Sequence, residues 1–167
     1  TGMGKSTTLA AMLNGLNRER KCKIVTIEDP IEFVFSQDRA IITQREIGTD
    51  TGSFPDALHA ALRQDPDVIM VGEMRDLETV DTSPKAAETG HLVFSTIHTS
   101  DVASTIGRLV SFFPTEEQSN VRARLAENLH AIVSLRLLGN KKQDGRVPAV
   151  EIMRSTRSIQ ECIKDAT

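Results

Sequence analysis

A glycine-rich stretch at the start of the chain has residue types and spacing suited to binding a polyphosphate. The phosphate-loop motif G-x-x-x-x-G-K-[ST] is matched from its third position onward by Thr1-Gly2-Met3-Gly4-Lys5-Ser6-Thr7. Glycines let backbone N–H groups approach phosphate oxygens closely, the Lys5 ammonium would reach the β- and γ-phosphates, and the Ser6 hydroxyl would bind Mg²⁺. We therefore expect residues 1–7 to bind a nucleotide, and we expect the chain to be a fragment that begins inside this loop.

Carboxylates follow two apolar runs that are typical of strands. Glu28, Asp29 and Glu32 come directly after the first β-branched run, and Glu73 follows the run Val68–Val71. Charged groups at the end of a buried strand are costly unless a cation lies nearby, and ligands of open α/β sheets bind at this end of the strands. Beside a phosphate loop, we expect these side chains to serve the Mg²⁺ shell or the attacking water. The alternative is an acidic, solvated turn.

Two histidines, His91 and His98, flank another apolar run, Leu92–Ile97. At about 3.3 Å of rise per residue, the ends of such a strand are too far apart for both rings to bind one metal ion. One histidine could therefore face phosphate while the other serves packing or a subunit contact.

Helix and strand signals alternate along the rest of the chain. Apolar or β-branched runs that predict strands occupy residues 23–27, 40–44, 68–71 and 92–97. Behind the phosphate loop, apolar residues recur at helical spacing at Leu9, Met12, Leu13 and Leu16. Ser53 is a candidate N-cap for a later helix. This alternation predicts a doubly wound α/β fold, with helices on both faces of a mostly parallel sheet.

The final third of the chain carries a different signal. Two strand-like runs, Val133–Leu138 and Arg146–Met153, flank a polar stretch with a glycine at each end, residues 139–145. Such a pattern predicts a hairpin, and Pro148 favours an edge position for its second strand. A short helix is expected to begin near Thr156. The parallel core should therefore be followed by an antiparallel hairpin and a short helix.

Pro84 interrupts a stretch that would otherwise continue as a helix. A proline in a helix interior costs about 3 kcal/mol because it removes a backbone hydrogen bond and clashes with the preceding turn. We favour a short helix Pro84–Glu88 with Ser83 as its N-cap, because proline is well tolerated in a first turn. The alternative is a kink inside one longer helix that begins near Leu77.

The amino-acid composition argues against several classes of function. The 167 residues suffice for one domain with a full core, and the formal charge of −3 gives no drive toward nucleic acid. Aromatic residues make up 4% of the chain and all are Phe, which disfavours base stacking. Cys22 and Cys162 are far apart, which argues against a zinc site or a disulfide framework. No apolar run approaches the length of a membrane span.

Four segments resemble one protein family closely: Thr26–Phe33, residues 72–79, residues 87–94 and residues 96–99. The family is the secretion and type IV pilus ATPases, and the resemblance is strongest to the branch that retracts pili in twitching motility. It implies that residues 1–167 are a C-terminal RecA-like ATPase domain, with a PAS-like N-terminal domain expected ahead of it. It also implies ATP and Mg²⁺ as cofactors and a homo-hexameric ring in the cytoplasm, peripheral to the inner membrane. The implied partner is the inner-membrane platform protein of the pilus, with no nucleic acid partner.

The resemblance also implies roles for single residues. Lys5 and Ser6 match the phosphate-loop lysine and the Mg²⁺-binding hydroxyl of the family. Glu73 matches the Walker B glutamate, which serves the Mg²⁺ shell. His91 and His98 match the "His box", which senses or contacts nucleotide across the ring.

An acidic "Asp box" is matched by Glu28, Asp29 and Glu32, and Glu32 is the residue that we expect to polarise the attacking water. The resemblance leaves open which carboxylate acts as the base and which serves the metal. We assign the catalytic roles to Lys5, Glu32 and Glu73, and the metal-shell roles to Ser6, Glu28, Asp29 and Glu73.

One departure from the retraction branch lies in the last predicted helix. Residues 158–163 occupy the place of an Ala-Ile-Arg-Asn-Leu-Ile motif, and Gln160-Glu161 replaces its Arg-Asn pair. The nearest alternative is therefore a pilus-extension or type II secretion ATPase, although such proteins commonly carry a four-cysteine module that is missing here. A nucleic-acid-dependent motor and a non-hydrolysing, nucleotide-binding ring subunit are the alternatives of other classes.

Overall fold

The computed structural model of the protein describes residues 2–141 and 145–165, which form two compact units. One unit is residues 6–97, and the other comprises residues 98–165 with residues 2–5. The assignment of residues 1–167 to a single ATPase domain stays a prediction. In chain order, the described elements are α1 (Lys5–Glu19), β1 (Lys23–Glu28), β2 (Ile41–Glu46), α2 (Phe54–Leu62), β3 (Val68–Val71), α3 (Leu77–Glu88), β4 (Leu92–Ser95), α4 (Val102–Ser111), α5 (Gln118–Asn128), β5 (Ala131–Gly139), β6 (Arg146–Arg154) and α6 (Arg157–Lys164).

The first unit is built on a parallel sheet with the strand order β2-β1-β3-β4. All four residues of β3 are buried, as are the last five residues of β1. Continuous burial is what a central parallel strand requires when helices cover both faces of the sheet. The strands predicted at residues 23–27, 40–44, 68–71 and 92–97 are confirmed, with small shifts at their ends.

Helices cover both faces of this sheet. On one face, Leu13 of α1 is fully buried in a cluster that includes Ile24 and Met70. On the other face, Leu58 of α2 packs in a cluster with Val25 and with residues of β3 and α3. The doubly wound α/β prediction is thus confirmed, because successive residues of β1 point to opposite clusters.

Side-chain caps begin several of the helices. The Ser53 hydroxyl accepts a hydrogen bond from the Asp56 N–H, and Pro55 lies in the first turn of α2. The Asp101 carboxylate accepts from the Ser104 N–H at 2.8 Å and so begins α4. Hydrogen bonds from the Ser100 and Ser104 hydroxyls and from the Ser104 backbone lower the pKa of Asp101 to about 2. The predicted Ser53 cap is confirmed.

Pro84 lies inside α3, so the prediction of a short helix capped by Ser83 is wrong. Asp76 is the N-cap, because its carboxylate accepts from the Thr79 N–H at 2.8 Å and from the Thr79 hydroxyl at 2.9 Å. The Ser83 hydroxyl donates to the Thr79 carbonyl at 2.8 Å and is almost completely buried. The buried face of α3, which includes Val80 and Ser83, is continuous across the proline. Packing on the sheet therefore outweighs the local cost of Pro84.

The second unit contains an antiparallel hairpin packed with helices. Strands β5 and β6 pair in register from Ala131 opposite Arg154 to Gly139 opposite Arg146, and α4 packs on both strands. α6 begins at the cap Thr156 and packs on α5. The predicted hairpin and terminal helix are confirmed. None of the helices in residues 2–141 and 145–165 is long and apolar enough to cross a membrane.

Candidate nucleotide-binding site

The described part of the glycine-rich loop has the backbone that a phosphate site requires. Gly2 and Gly4 have φ angles of 77° and 84°, a left-handed conformation that residues with a Cβ rarely adopt. α1 begins immediately afterwards, at Lys5, and its first turn carries no acidic residue. The unpaired N–H groups at a helix N-terminus and the partial positive charge there favour an anion. Thr1 lies outside the described residues.

The structure places Lys5 beside His98. The Lys5 Nζ atom lies 3.2 Å from the His98 Nδ1 atom, and both residues belong to the same compact unit. Partial burial lowers the pKa of Lys5. Because an ammonium group can only donate, His98 Nδ1 accepts this hydrogen bond and the ring proton lies on Nε2. Two residues predicted for nucleotide binding are therefore in direct contact, although they are far apart in the sequence.

Glu28 ends β1 as a buried carboxylate. It is 7% exposed, and its Oε1 atom accepts hydrogen bonds from the Thr26 hydroxyl at 2.7 Å and from Gln44 Nε2 at 3.1 Å. These two neutral donors compensate for part of the lost hydration of the carboxylate. Glu28 is thus fixed at the carboxyl edge of the sheet, by which we mean the ends of β1 to β4 where each strand finishes.

Two predicted metal-shell residues share a cation. The Arg75 guanidinium forms an ion pair with Glu73, and its Nη1 atom lies 3.2 Å from the Asp29 carboxylate. The Glu73 side chain is only 13% exposed, whereas that of Arg75 is 58% exposed. Within the described residues, no three His, Cys, Asp or Glu side chains are grouped so that they could hold a metal ion by themselves. Arg75 was not predicted as a site residue, because no local pattern links it to Asp29.

Gly72 brings β3 close to the end of β1. Its N–H donates to the Ile27 carbonyl at 2.8 Å, and a Cβ at this position would lie 3.1 Å from the same oxygen and 3.4 Å from Glu28 Cα. On the other side, the Thr96 hydroxyl donates to the Gly72 carbonyl at 2.7 Å. The backbone directly before Glu73 is therefore hydrogen-bonded on both sides, at the ends of β1 and β4.

Glu32 lies in the acidic segment, residues 29–35, which follows β1 without regular secondary structure. The Glu32 side chain is exposed. Its neighbour Ile31 donates its N–H to Glu46 Oε2 at 2.9 Å, and Phe35 donates its N–H to Gln44 Oε1 at 3.0 Å. Side chains of β2 thus hold the backbone on both sides of Glu32. Sequence reasoning missed Gln44 and Glu46, although their spacing of two residues in a strand was a signal that both share one face.

His91 is anchored to the end of α3. Its Nδ1 atom lies 3.0 Å from the Ala86 carbonyl oxygen and 3.0 Å from the Thr89 hydroxyl. A carbonyl oxygen can only accept, so the ring proton lies on Nδ1 and Nε2 is the unprotonated nitrogen of the neutral ring. The ring orientation of His91 is therefore set by its own helix terminus. A contact of His91 with nucleotide stays a prediction.

Comparison with known proteins shows the family of the chain. The family model described as type II/IV secretion system protein matches residues 1–167. The protein named "Type IV pilus retractation ATPase PilT" from Pseudomonas aeruginosa is 53% identical over 165 residues, which are 99% of this chain and 48% of that protein. The type IV pilus assembly ATPase PilB of Myxococcus xanthus is 50% identical over 112 residues, which are 66% of this chain and 19% of that relative.

A solved structure agrees with these sequence relatives. The crystal structure of the pilus retraction motor PilT with bound ADP superimposes with a TM-score of 0.94 at 53% identity, over 98% of this chain and 47% of that one. The chain spans about half the length of the PilT proteins that it matches. The chain belongs to the type II/IV secretion system protein family.

Proposed function

We propose that the protein containing this chain hydrolyses ATP with Mg²⁺ and uses the free energy to retract type IV pili. Family membership and the similarity to PilT along almost the whole chain support this proposal. The structural observation that carries it is the pair of left-handed glycines directly before α1, with Lys5 at the first position of the helix.

The residues of this loop fit the phosphates of a nucleotide. Gly2 and Gly4 leave open space where a side chain would otherwise stand, since a Cβ built at either position would meet no atom within 4 Å beyond the adjacent backbone. Backbone N–H groups of residues 2–7 would donate to phosphate oxygens, and Lys5 would neutralise their charge. The PilT structure in the comparison contains ADP, which supports the same class of ligand here.

The chemistry of the donor set also fits Mg²⁺. This ion prefers oxygen ligands and is usually held by one or two carboxylates together with phosphate oxygens and water, so a cluster of three acidic residues is not required. Ser6, Glu28, Asp29 and Glu73 would supply the protein's oxygen atoms. Bound Mg²⁺ would neutralise negative charge on the phosphates. Asp29 and Glu73 would bind the ion with the carboxylates that Arg75 contacts in this structure.

Among the acidic residues, Glu32 is our candidate for polarising the attacking water. Its exposed side chain stands on a backbone held at Ile31 and Phe35, so the carboxylate is accessible while its attachment is fixed. Glu73 would serve the Mg²⁺ shell. His91 and His98 would contact the nucleotide, and the hydrogen bond between His98 and Lys5 supports the role of His98.

The proposed assembly is a homo-hexameric ring in the cytoplasm, peripheral to the inner membrane. Its proposed partner is the pilus platform protein of that membrane. The formal charge of −3 and the scarcity of aromatic residues support a motor that does not act on nucleic acid.

Replacing the phosphate-loop lysine tests this function. We expect Lys5→Ala in the whole protein to abolish Mg²⁺-dependent ATP turnover, because no other side chain of residues 2–7 carries a positive charge toward the phosphates. The matched control is Lys21→Ala, which removes an exposed lysine beyond the end of α1. Release of inorganic phosphate is the measurement. Unchanged turnover in Lys5→Ala would contradict the proposal, and a parent protein that binds ATP without turnover would indicate the non-hydrolysing ring subunit.

Pilus assembly is the second candidate function, because PilB shares 50% identity over 112 residues. The longer match to PilT, over 165 residues, favours retraction. Expression in a strain that lacks its retraction ATPase separates the two functions. Restored twitching supports retraction, whereas restored piliation in a strain that lacks its assembly ATPase would support the second candidate.

A further inference from the structure

The side-chain amide of Gln44 makes two contacts with the acidic segment and one with Glu28 at the end of β1. Its Nε2 atom donates to Glu28 Oε1 at 3.1 Å and to the Phe33 carbonyl at 2.8 Å, and its Oε1 atom accepts from the Phe35 N–H at 3.0 Å. Both donor hydrogens of the amide and one acceptor position are therefore used. Two of these contacts lie on the backbone within three residues of Glu32.

The sheet register explains why Gln44 reaches these groups. Gln44 pairs with Thr26 across the parallel ladder, and Glu46 pairs with Glu28. Paired residues of neighbouring strands point to the same face, so these four side chains lie together at the carboxyl edge. The acidic segment crosses this face, where Gln44 and Glu46 supply hydrogen bonds that the segment's irregular backbone does not make internally.

We propose that Gln44 is a positioning residue that fixes the acidic segment for ATP hydrolysis. The inference rests on the proposed function, and it assigns to Gln44 one task in the same site. Its two backbone contacts fix the direction in which Glu32 projects, and its hydrogen bond to Glu28 Oε1 anchors the amide for this task. Gln44 itself contacts neither substrate nor water in this role.

Such a role predicts a specific kinetic signature. The phosphate loop and Lys5 do not depend on Gln44, so ATP should bind normally when the amide is removed. Turnover should fall, because misplacing a reacting group by about 1 Å can cost on the order of a hundredfold in rate. A merely structural role would instead lower the folded fraction and leave the turnover of the remaining folded protein unchanged.

The test compares Gln44→Met with Gln37→Met in the whole protein. Methionine keeps the length of the side chain and removes its hydrogen bonds. Gln37 is a matched control, because its amide donates at 3.4 Å to the Ile42 carbonyl of the same strand β2 and does not hydrogen-bond Glu28. We expect Gln44→Met to lower kcat by about ten- to a hundredfold, with less than a threefold change in the Kd for a non-hydrolysable ATP analogue. Gln37→Met should match the parent protein in both quantities.

A double variant separates action through Glu32 from an independent effect. If Gln44 acts by placing Glu32, then Gln44→Met should change the residual kcat of a Glu32→Gln protein by less than about threefold. Gln44→Leu serves as the second variant if Gln44→Met does not fold, because it removes the same hydrogen bonds without adding a charge beside Glu28 and should lower kcat in the same way.

Three results would overturn the inference. The first is an unchanged kcat in the Gln44 variants, and the second is a parallel loss of ATP analogue binding. The third is a loss of kcat on adding Gln44→Met to the Glu32→Gln protein that is as large as the loss in the parent protein. A parent protein without ATP turnover would overturn the proposed function and this inference with it. Turnover in the parent that persists in Gln44→Met would overturn the inference alone.

Discussion

Among single residues, Arg75 shows how the carboxyl edge balances its charge. The Glu73 carboxylate is largely removed from solvent, which would be costly without a cation, and the guanidinium group supplies that cation. The same group reaches Asp29 at 3.2 Å. A metal ion that binds these carboxylates must therefore share them with Arg75 or replace it.

Neutral substitution of two carboxylates tests their assigned roles. We expect Glu32→Gln and Glu73→Gln each to lower ATP turnover by at least about a hundredfold, with ATP binding largely retained, because each change keeps the shape and removes a charge needed for water activation or metal placement. The measurements are kcat and the Kd for an ATP analogue. Glu19→Gln, an exposed residue at the end of α1, is the control. A variant that turns over at the parent rate would remove the role assigned to that glutamate.

Among the elements, α3 combines an unfavourable local sequence with favourable packing. Pro84 has no N–H to donate to the Val80 carbonyl, yet Val80 and Ser83 on the helix face are almost fully buried. Beyond the proline, the helix end still holds His91 through the Ala86 carbonyl. The helix therefore tolerates the proline without losing the anchor of His91.

Restoring the missing donor in α3 should stabilise the protein. We expect Pro84→Ala to raise the free energy of unfolding by up to about 3 kcal/mol, since an interior proline costs that much in a helix. ATP turnover should change by less than about twofold, because the Ala86 contact with His91 does not depend on Pro84. Chemical denaturation and a turnover assay on the same preparation are the measurements. A large gain in turnover would show that the proline displaces site residues.

For the whole molecule, the proposed hexameric ring predicts that ATP turnover depends on the protein concentration. If the site is completed in a hexamer, turnover per subunit should rise as the protein concentration passes through the range in which rings form. Light scattering coupled to gel filtration would give the oligomeric state at each concentration. A constant turnover per subunit in a protein that stays monomeric throughout would contradict the ring proposal.

Much of this fold follows from local patterns in the sequence. The apolar run Val68–Val71, the Ser53 cap and the hairpin after α5 each carry their own signal within a few residues, and all three are confirmed. At Pro84 the local preference of proline for a first turn does not decide the structure, because burial of the helix face does. No spacing indicates Arg75, because its partner Asp29 is distant in the sequence. The spacing of Gln44 and Glu46 indicates a shared face of β2, but it does not indicate the acidic segment as their partner.

The connectivity of the parallel sheet has a kinetic consequence. None of its neighbouring strands is joined by a tight turn, and β1 pairs with β3 only after β2 and α2 have intervened. Closing such long loops lowers the conformational entropy of the chain before strand pairing compensates for that loss, and this slows folding. The consecutive strands β5 and β6 face a shorter closure and can form earlier. We therefore expect the assembly of β1 to β4 to be the rate-limiting step of folding. The carboxyl edge, which needs all four strands, should then form last.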